Sequence, residues 1–361
     1  MKATLVTPQE LDAECIRRWE RLRAGDPAYA SPFYSPHFAR AVGEVRRDAH
    51  VAIFEQEGQI VGFLPFHRVR QRIAKPIGGH FNDYHGAILA PGLALCDPGL
   101  LESAGIEAYD FDHLPSQFGS GTESVDTGQT SPQMDLRGGY DQCVAAKGDS
   151  WKRGHRDMAR KARKMERELG PIRFEFASGS ADMFELHAAM RNALYRRMGQ
   201  REDYCIGWEG EVLRGLRQAA YPEFRSVLNV LFAGSLPVAA HFGLVSRGVL
   251  HWWFPAYELA AQRYSPGLQM IDHCARHAAG EAIAVIDFGK GNDRYKSLFA
   301  DHSVPMLKGS ACSKGSRAAR ARAGSARLLA LVERILPEPV RFYPRRSVER
   351  LWTGTVLPRL G

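Results

Sequence analysis

The stretch from Arg263 to Lys296, "RYSPGLQMIDHCARHAAGEAIAVIDFGKGNDRYK", reads as a loop, a helix, a strand and a second polar loop. Ser265 followed by Pro266 marks a helix start, because serine caps a helix and proline is tolerated in the first turn. "AIAVIDF" is an apolar run of strand length that ends in the carboxylate of Asp287. The helix would aim its unpaired N–H groups at the first loop, which suits an anion, while the strand would deliver an acid to the second.

Working outward, three antiparallel strands precede this unit: "SVLNVLFAG" (226–234), "PVAAHFGLV" (237–245) and "GVLHWWFPAY" (248–257). Before them come a basic helix over 151–170 ended by Gly170, a strand "IRFEFAS", a helix over 181–199 ended by Gly199, and a shorter helix "EVLRGLRQAAY". The order predicts a mixed α/β fold in which an antiparallel meander gives way to a helix and a further strand.

The first part of the chain echoes this plan. "HVAIFEQEGQIVGFLPF" is a hairpin pattern around Gly58, and "NVLFAGSLPVAAHFGLV" is another around Gly234. A strand ending in "YDF" at Phe111 follows the first glycine by 53 residues, and one ending in "IDF" at Phe288 follows the second by 54. Two copies of one design explain the echo. The boundary is expected in "GSGTESVDTGQTSPQMDLRGGYDQ", rich in Gly, Ser and Thr and without periodicity, giving an N-terminal half over 1–138, a C-terminal half over 139–310 and a basic tail over 311–361.

The 361 residues, 45% apolar and 10% aromatic, have a globular composition. The N-terminal sequence carries charges and no apolar core of a secretory signal, and the longest apolar passage is broken by Asn229, Gly234, Pro237 and His241. Six cysteines are scattered without a CxxC pair. A cytoplasmic protein with no transmembrane segment is expected. Charge is uneven: from Lys308 onward twelve Lys and Arg face three Glu, a net of +9 in a chain of +8 overall, and "WKRGHRDMARKARKMERE" carries a further +5. These runs are either solvated faces or contacts to an anion such as a cofactor phosphate, anionic lipid or RNA. In the tail, Leu328, Leu329, Val332, Ile335 and Leu336 fall at helical spacing.

The "YSPG" loop, the "DFGKGNDRYK" loop, the basic helix and the hairpin ending "PVAAHFGL" together resemble CelD-like acetyltransferases, a branch of the GNAT superfamily, over about residues 140 to 310. The first half resembles the family through "FYSPHFARAV", "IVGFLPFHR" and "GGHFNDYHGAIL". The resemblance implies tandem GNAT-like domains, related to Fem-type transferases that use aminoacyl-tRNA. It further implies acyl transfer from acetyl-CoA or another acyl-CoA to an amine or hydroxyl of a sugar, a polysaccharide precursor or another small acceptor. A Fem-like transferase or an RNA-binding module is the alternative, argued from the basic helix and tail.

On the residues themselves, Arg263, Ser265, Gly267 and Lys296 are candidates for holding the donor: Gly267 for close backbone approach, Arg263 and Lys296 for charge, and Ser265 either for this or as a plain cap. Asp287, at a strand end where its pKa can be raised, is a candidate base or acceptor ligand, or else a structural acid. His241 on a face of small residues is a second candidate base. Tyr295 is a candidate for protonating a departing thiolate. Asp83, Tyr84 and His85 in "GGHFNDYHG" form either an ordinary turn or, as the resemblance to the family's Asp-Tyr loop implies, an acceptor-binding loop facing an inter-domain cleft. A metal held by His80, Asp83 and His85 is conceivable in composition, but no metal is expected. Peripheral contact with a membrane or a polysaccharide-synthesis complex is an open expectation, and a nucleic-acid partner is not expected. Were Asp287 catalytic, Asp287→Asn would lower turnover far more than stability.

Overall fold

The protein is represented by a computed structural model, which describes residues 1–313 except 71, 200–203 and 292, together with Gly315. The expected amphipathic helix and most of the basic tail lie outside the described residues.

Chain order in the first half is β1 (Lys2–Val6), α1 (Ala13–Ala24), α2 (Pro36–Val45), β2 (Ala49–Gln56), β3 (Gln59–Arg70), β4 (Ile73–Pro76), β5 (Ile88–Leu89), α3 (Leu100–Ser103), β6 (Ala108–Pro115) and β7 (Glu123–Asp135). The second half runs α4 (Tyr140–Ala145), α5 (Asp149–Leu169), β8 (Ile172–Glu175), α6 (Ala181–Arg197), α7 (Gly207–Gln218), β9 (Ala220–Tyr221), β10 (Phe224–Ala233), β11 (Leu236–Ser246), β12 (Val249–Tyr257), α8 (Pro266–His277), β13 (Val285–Asp287), α9 (Arg294–Phe299) and β14 (His302–Cys312). Local chemistry starts and stops these elements. Asp12 caps α1 by accepting from Cys15 N at 2.7 Å, and Ser180 caps α6 by accepting from Met183 N at 3.3 Å. The β10–β11 turn needs Gly234 at φ +60, where a Cβ would sit 2.4 Å from the Leu169 carbonyl oxygen.

The echo in the sequence is an echo in strand pairing. β2–β3 and β3–β4 pair antiparallel and β4–β6 parallel; β10–β11 and β11–β12 pair antiparallel and β12–β13 parallel. One sheet results, in the order β1-β2-β3-β4-β6-β14-β7-β13-β12-β11-β10-β8. The last strands have traded places. β14, from the end of the second half, lies against β6, while β7, from the end of the first, lies against β13. The two traded strands also pair with each other.

This corrects the expected linker: the Gly, Ser and Thr-rich passage is a thirteen-residue central strand. Backbone pairing on both edges holds it, so it needs little apolar character until Ser131 and Met134 enter the buried region.

β10 and β11 are buried almost end to end because helices cover both faces. Trp151, Met158 and Met165 of α5 and Met270 and Cys274 of α8 pack with Leu231, Val238 and Leu250 on one face. Phe184 of α6 and Val212, Leu213 and Leu216 of α7 pack with Leu228, Phe242 and Leu244 on the other. That second cluster runs on into the first half, where Phe33 and Phe38 meet Trp253 edge-on at 5.3 and 6.3 Å and Phe81 approaches it at 4.4 Å. Each such ring contributes on the order of 2–3 kcal/mol by leaving water. Among the described residues no helix is long and apolar enough to cross a membrane.

The exchange makes each half the donor of a central strand to the other. Residues 1–138 and 139–361 expressed apart are therefore expected to show no cooperative thermal transition, whereas co-expression restores a one-to-one complex with a single transition by circular dichroism and size exclusion.

Candidate functional site

β12 and β13 run parallel for three residues only, Val249–His251 against Val285–Asp287. Beyond His251, β12 continues to Tyr257, whereas the chain after Asp287 turns away at Gly289, φ +69. The strands part, and the backbone of Trp252 to Tyr257 has no ladder partner on that side among the described residues. A cleft of about 1210 Å³ opens there. Its lining includes Ser265 and Gly267 from the first loop, Lys290, Tyr295 and Lys296 from the second, and Asp83 from the first half.

At the first loop, Ser265 takes a left-handed conformation (φ 54, ψ 51) directly before α8. Its hydroxyl accepts from Lys161 Nζ at 3.1 Å, which brings the basic helix α5 to the N-terminus of α8. A Cβ on Gly267 would meet only Tyr257 Cδ1, at 3.7 Å, so space remains above it. Arg263 stands apart: its guanidinium is largely exposed, pairs with Glu168 at 2.9 Å and lies over the Tyr264 ring.

At the second loop, Lys296 is buried and works as a staple. Its ammonium donates to the Lys290 carbonyl at 2.6 Å and the Gly289 carbonyl at 3.4 Å, and pairs with Asp293 at 3.2 Å. Burial, and then the charge of Asp293, push the Tyr295 phenol pKa well up, so this cleft-lining group holds its proton.

Asp287 lies just behind the cleft, 1% exposed. Its carboxylate accepts from the Tyr84 phenol, from Ser131 Oγ at 2.5 Å, from Gln133 Nε2 at 2.8 Å and from Gly289 N at 2.8 Å. Three of these four donors belong to the first half. Burial, then the charge of Asp287, raises the Tyr84 pKa far above its usual value, so Tyr84 stays a donor. His251 stands between two acids: Nε2–H donates to Asp83 Oδ2 at 3.0 Å, while Nδ1 sits 3.7 Å from Asp287 Oδ1 without a hydrogen bond. Lys290 Nζ lies 3.4 Å from the other oxygen of Asp83. Burial on its own would raise the Asp83 pKa, but the hydrogen bond from His251 and the nearby cations hold it well below the usual range. Gly289 is needed here, since a Cβ would lie 2.5 Å from Asp83 Oδ2.

His241 and His85 are elsewhere. His241 is sealed in the core, stacked on Trp252 at 3.6 Å with Nδ1 accepting from Asn229, and burial drives its pKa far down. His85 is buried beside Asp112 and His113, with ligand-type atoms of the three within 4.8 Å of one another. Both its nitrogens are in use, however: Nδ1 accepts from the N–H groups of Asp112 and His113, each at 3.3 Å, and Nε2 donates to the Asn82 carbonyl at 3.0 Å. Burial lowers its pKa to about 4, as it does for His187, whose Nε2 donates to the Phe254 carbonyl of β12 at 2.7 Å.

The structure thus gathers Asp83, Ser265, Gly267, Tyr295 and Lys296 around one cleft, sets Asp287 and Tyr84 behind it, and leaves Arg263, His85 and His241 away from it. Sequence reasoning passed over His251, Lys290, Lys161, Ser131 and Gln133. Lys290 was in plain view within "DFGKGNDRYK"; Ser131 and Gln133 lay in the passage taken for a linker.

A deep parallel fork beside a helix N-terminus agrees with the family comparison. Residues 152–297 match the acetyltransferase (GNAT) domain. Among solved structures, the chain is similar to FemX (TM-score 0.55, 11% identity, 86% of this chain and 96% of that one). It is also similar to the C-terminal DUF2156 domain assigned to a lysylphosphatidylglycerol synthetase of Agrobacterium fabrum (TM-score 0.54, 15% identity, 86% and 95%). At these identities what is shared is the fold. No curated protein matches the chain. The architecture is a mixed α/β fold whose second half carries the GNAT match and whose first half repeats the same order of strand pairing.

Two predictions follow from this geometry. Asp287→Asn places an amide among four donors and removes a buried charge they were arranged to hold, so it is expected to cost about 3 kcal/mol in urea unfolding as well as any activity. His85 and His187 titrate near 4 when folded and near 6.5 when unfolded. The unfolded chain then binds more protons across that window, so stability is full above pH 6.5 and falls toward pH 4 by about 1.4 kcal/mol per unit per histidine. The urea midpoint is expected to be lower at pH 5 than at pH 7.

Proposed function

We propose that the chain is an acyltransferase of the CelD-like kind, moving an acyl group from coenzyme A to an amine or hydroxyl of a small, saccharide-type acceptor. The observation that carries this reading is the fork between β12 and β13 opening beside the N-terminus of α8, with Asp83 on the same cleft. The donor supplies a reactive thioester; the chain supplies position and charge.

Beyond the fork β12 has no ladder partner on this side; His187 and Arg191 hold the Phe254 and Pro255 carbonyls, and the remaining N–H and C=O groups of the edge can take an extended pantetheine chain as a further strand. The first turn of α8, with Lys161 at its side, presents N–H groups and a cation to the pyrophosphate, and the bare Gly267 leaves room for it. Tyr295, held protonated, can hydrogen-bond the departing sulfur and hand it a proton, while the proton shed by the attacking nitrogen or oxygen leaves through the open cleft and restores the phenol. Asp83, held anionic by His251 and Lys290, accepts from the N–H or O–H of the acceptor and orients it. Phe81, Trp253 and Phe254, packed against one another, make one wall of the cleft apolar, as a sugar ring's C–H face requires. On this reading Asp287 holds the seam, Lys296 holds the loop, and His241 has no part in proton transfer.

A Fem-like reading, with aminoacyl-tRNA as donor, draws support from the likeness to FemX and from the basic face of α5. Calorimetric titration with acetyl-CoA separates the two. Saturable binding is expected for the wild type, and at least roughly tenfold weaker binding for Gly267→Leu, whose side chain would fill the space above α8. No binding of any acyl-CoA by a folded wild-type protein would end the coenzyme A reading.

A further inference from the structure

Arg191 of α6 lines the cleft, and the acyl-transfer reading asks of it only one N–H, donated to the Pro255 carbonyl at 2.8 Å. A second donates to the Tyr195 hydroxyl at 3.0 Å, and the buried Nε–H has no partner. The guanidinium lies over the Tyr195 ring at 4.7 Å and near the Phe254 ring at 5.6 Å, so aromatic faces take the place of water around its charge. The other charges of the cleft are answered. Asp83 faces His251 and Lys290, Asp293 faces Lys296, and Glu209 lies 3.7 Å from His80. Among the described charged residues of the cleft, Arg191 alone has no ion-pair partner.

Tyr204 stands on the same wall. Its backbone N–H donates to Asn192 Oδ1 at 2.6 Å, which ties it to α6 at the residue after Arg191. The ring packs against Phe254 at 4.9 Å, lines the cleft and leaves the residue 6% exposed, yet the hydroxyl, beside the Cys205 thiol, is buried without a hydrogen-bond partner. A buried hydroxyl left unmatched costs about 1–3 kcal/mol, a deficit that an acceptor oxygen of a ligand removes. An unanswered guanidinium beside a spare hydroxyl suits an anion that accepts hydrogen bonds. The Tyr295 phenol lies within electrostatic reach of both Arg191 and Asp83, so the cleft presents a cation and an anion around the place where the thioester would react.

We propose that the acceptor carries a carboxylate, held by Arg191 and Tyr204 while Asp83 orients the amine or hydroxyl to be acylated, so that the acceptor class is a sugar acid and not a neutral sugar. The planar fork of a guanidinium matches the two oxygens of a carboxylate, one unit of charge against one. A phosphate dianion fits less well, since the lysines of the cleft, Lys290 and Lys296, are already answered by acids. Calling this ligand the acceptor rests on the acyl-transfer reading; the carboxylate site itself does not.

The test is a ligand-observed NMR titration of the full chain with D-glucuronate, D-glucose and D-glucose 6-phosphate, which share a ring and differ in the group at its sixth carbon. Wild type is expected to bind glucuronate saturably and glucose at least roughly tenfold more weakly. Arg191→Gln is expected to lose that preference, and Arg191→Lys, which keeps the charge but not the fork, to keep part of it. Tyr204→Phe, whose lost hydroxyl had no partner, is expected to weaken glucuronate binding roughly threefold or more at an unchanged melting temperature. Should Arg191→Gln not fold, the other two variants decide. No glucuronate binding by wild type, equal binding of glucose, a preference for glucose 6-phosphate, or Arg191→Lys and Tyr204→Phe both indistinguishable from wild type would each overturn the proposal. Acetyl-CoA titration of the same samples keeps the two readings apart: carboxylate binding without acetyl-CoA binding ends the coenzyme A reading alone, and acetyl-CoA binding without carboxylate binding ends this one alone.

Discussion

The carboxylate of Asp287 is the point on which the two halves of the molecule close. An acid this deeply buried would cost several kcal/mol if left unpaired. It is accommodated because Tyr84, Ser131 and Gln133 reach it from the first half while Gly289 N reaches it from its own loop. β13 is only three residues long, too short to be stable alone, and it is held between β12 of its own half and β7 of the other. Strand exchange and the buried acid are thus one device. The traded strand β7 brings Ser131 and Gln133 to the end of β13, and the acid there fastens them.

The same device explains why one cleft, and not two, carries the constellation. In the second half, β12 and β13 flank α8, a helix of twelve residues whose N-terminus opens on the fork. At the corresponding place in the first half, β4 and β6 pair over two residues, and between them lie a turn-rich stretch, the two-residue β5 and a four-residue helix, α3. No helix there has the length to gather N–H dipoles toward an anion. Instead the stretch from Gly78 to Gly86 bends toward the partner half and delivers Asp83 and Tyr84 across the seam. Where the repeat departs from itself, the first half lacks the long helix at its strand fork and instead sends side chains across the seam.

What the sequence discloses divides along the same line. Hairpins around Gly58 and Gly234, the helices over 151–170 and 181–199, and the loop–helix–strand unit at 263–296 were legible because each declares itself locally, by apolar period, by a cap or by a terminal glycine. β7 and β14 were not, since a polar strand paired on both edges draws its stability from partners more than a hundred residues away. The tandem plan could be read from spacing; the trade of strands could not. For the site, local reading placed Asp83, Ser265, Gly267 and Tyr295 among the candidates and the structure sets them around one cleft. It had no means of separating His241 from His251, since both are strand histidines among apolar neighbours and only long-range contacts show which faces an acid.

That separation shows how access, more than residue type, assigns roles here. Asp83 and Asp287 are the same residue, both buried and both beside His251, yet they differ in what remains open. Asp287 has four donors around its oxygens and does not reach the cleft. Asp83 has one hydrogen bond from an imidazole and a looser pairing with Lys290, and it lines the cleft. Nε2 of His251 is committed to Asp83, and its Nδ1 faces Asp287 at 3.7 Å without a hydrogen bond between them. The acid with spare acceptor capacity is therefore the one that can meet an incoming N–H or O–H. The saturated acid keeps the wall behind it from moving, and a ligand placed by Asp83 is placed relative to both halves at once.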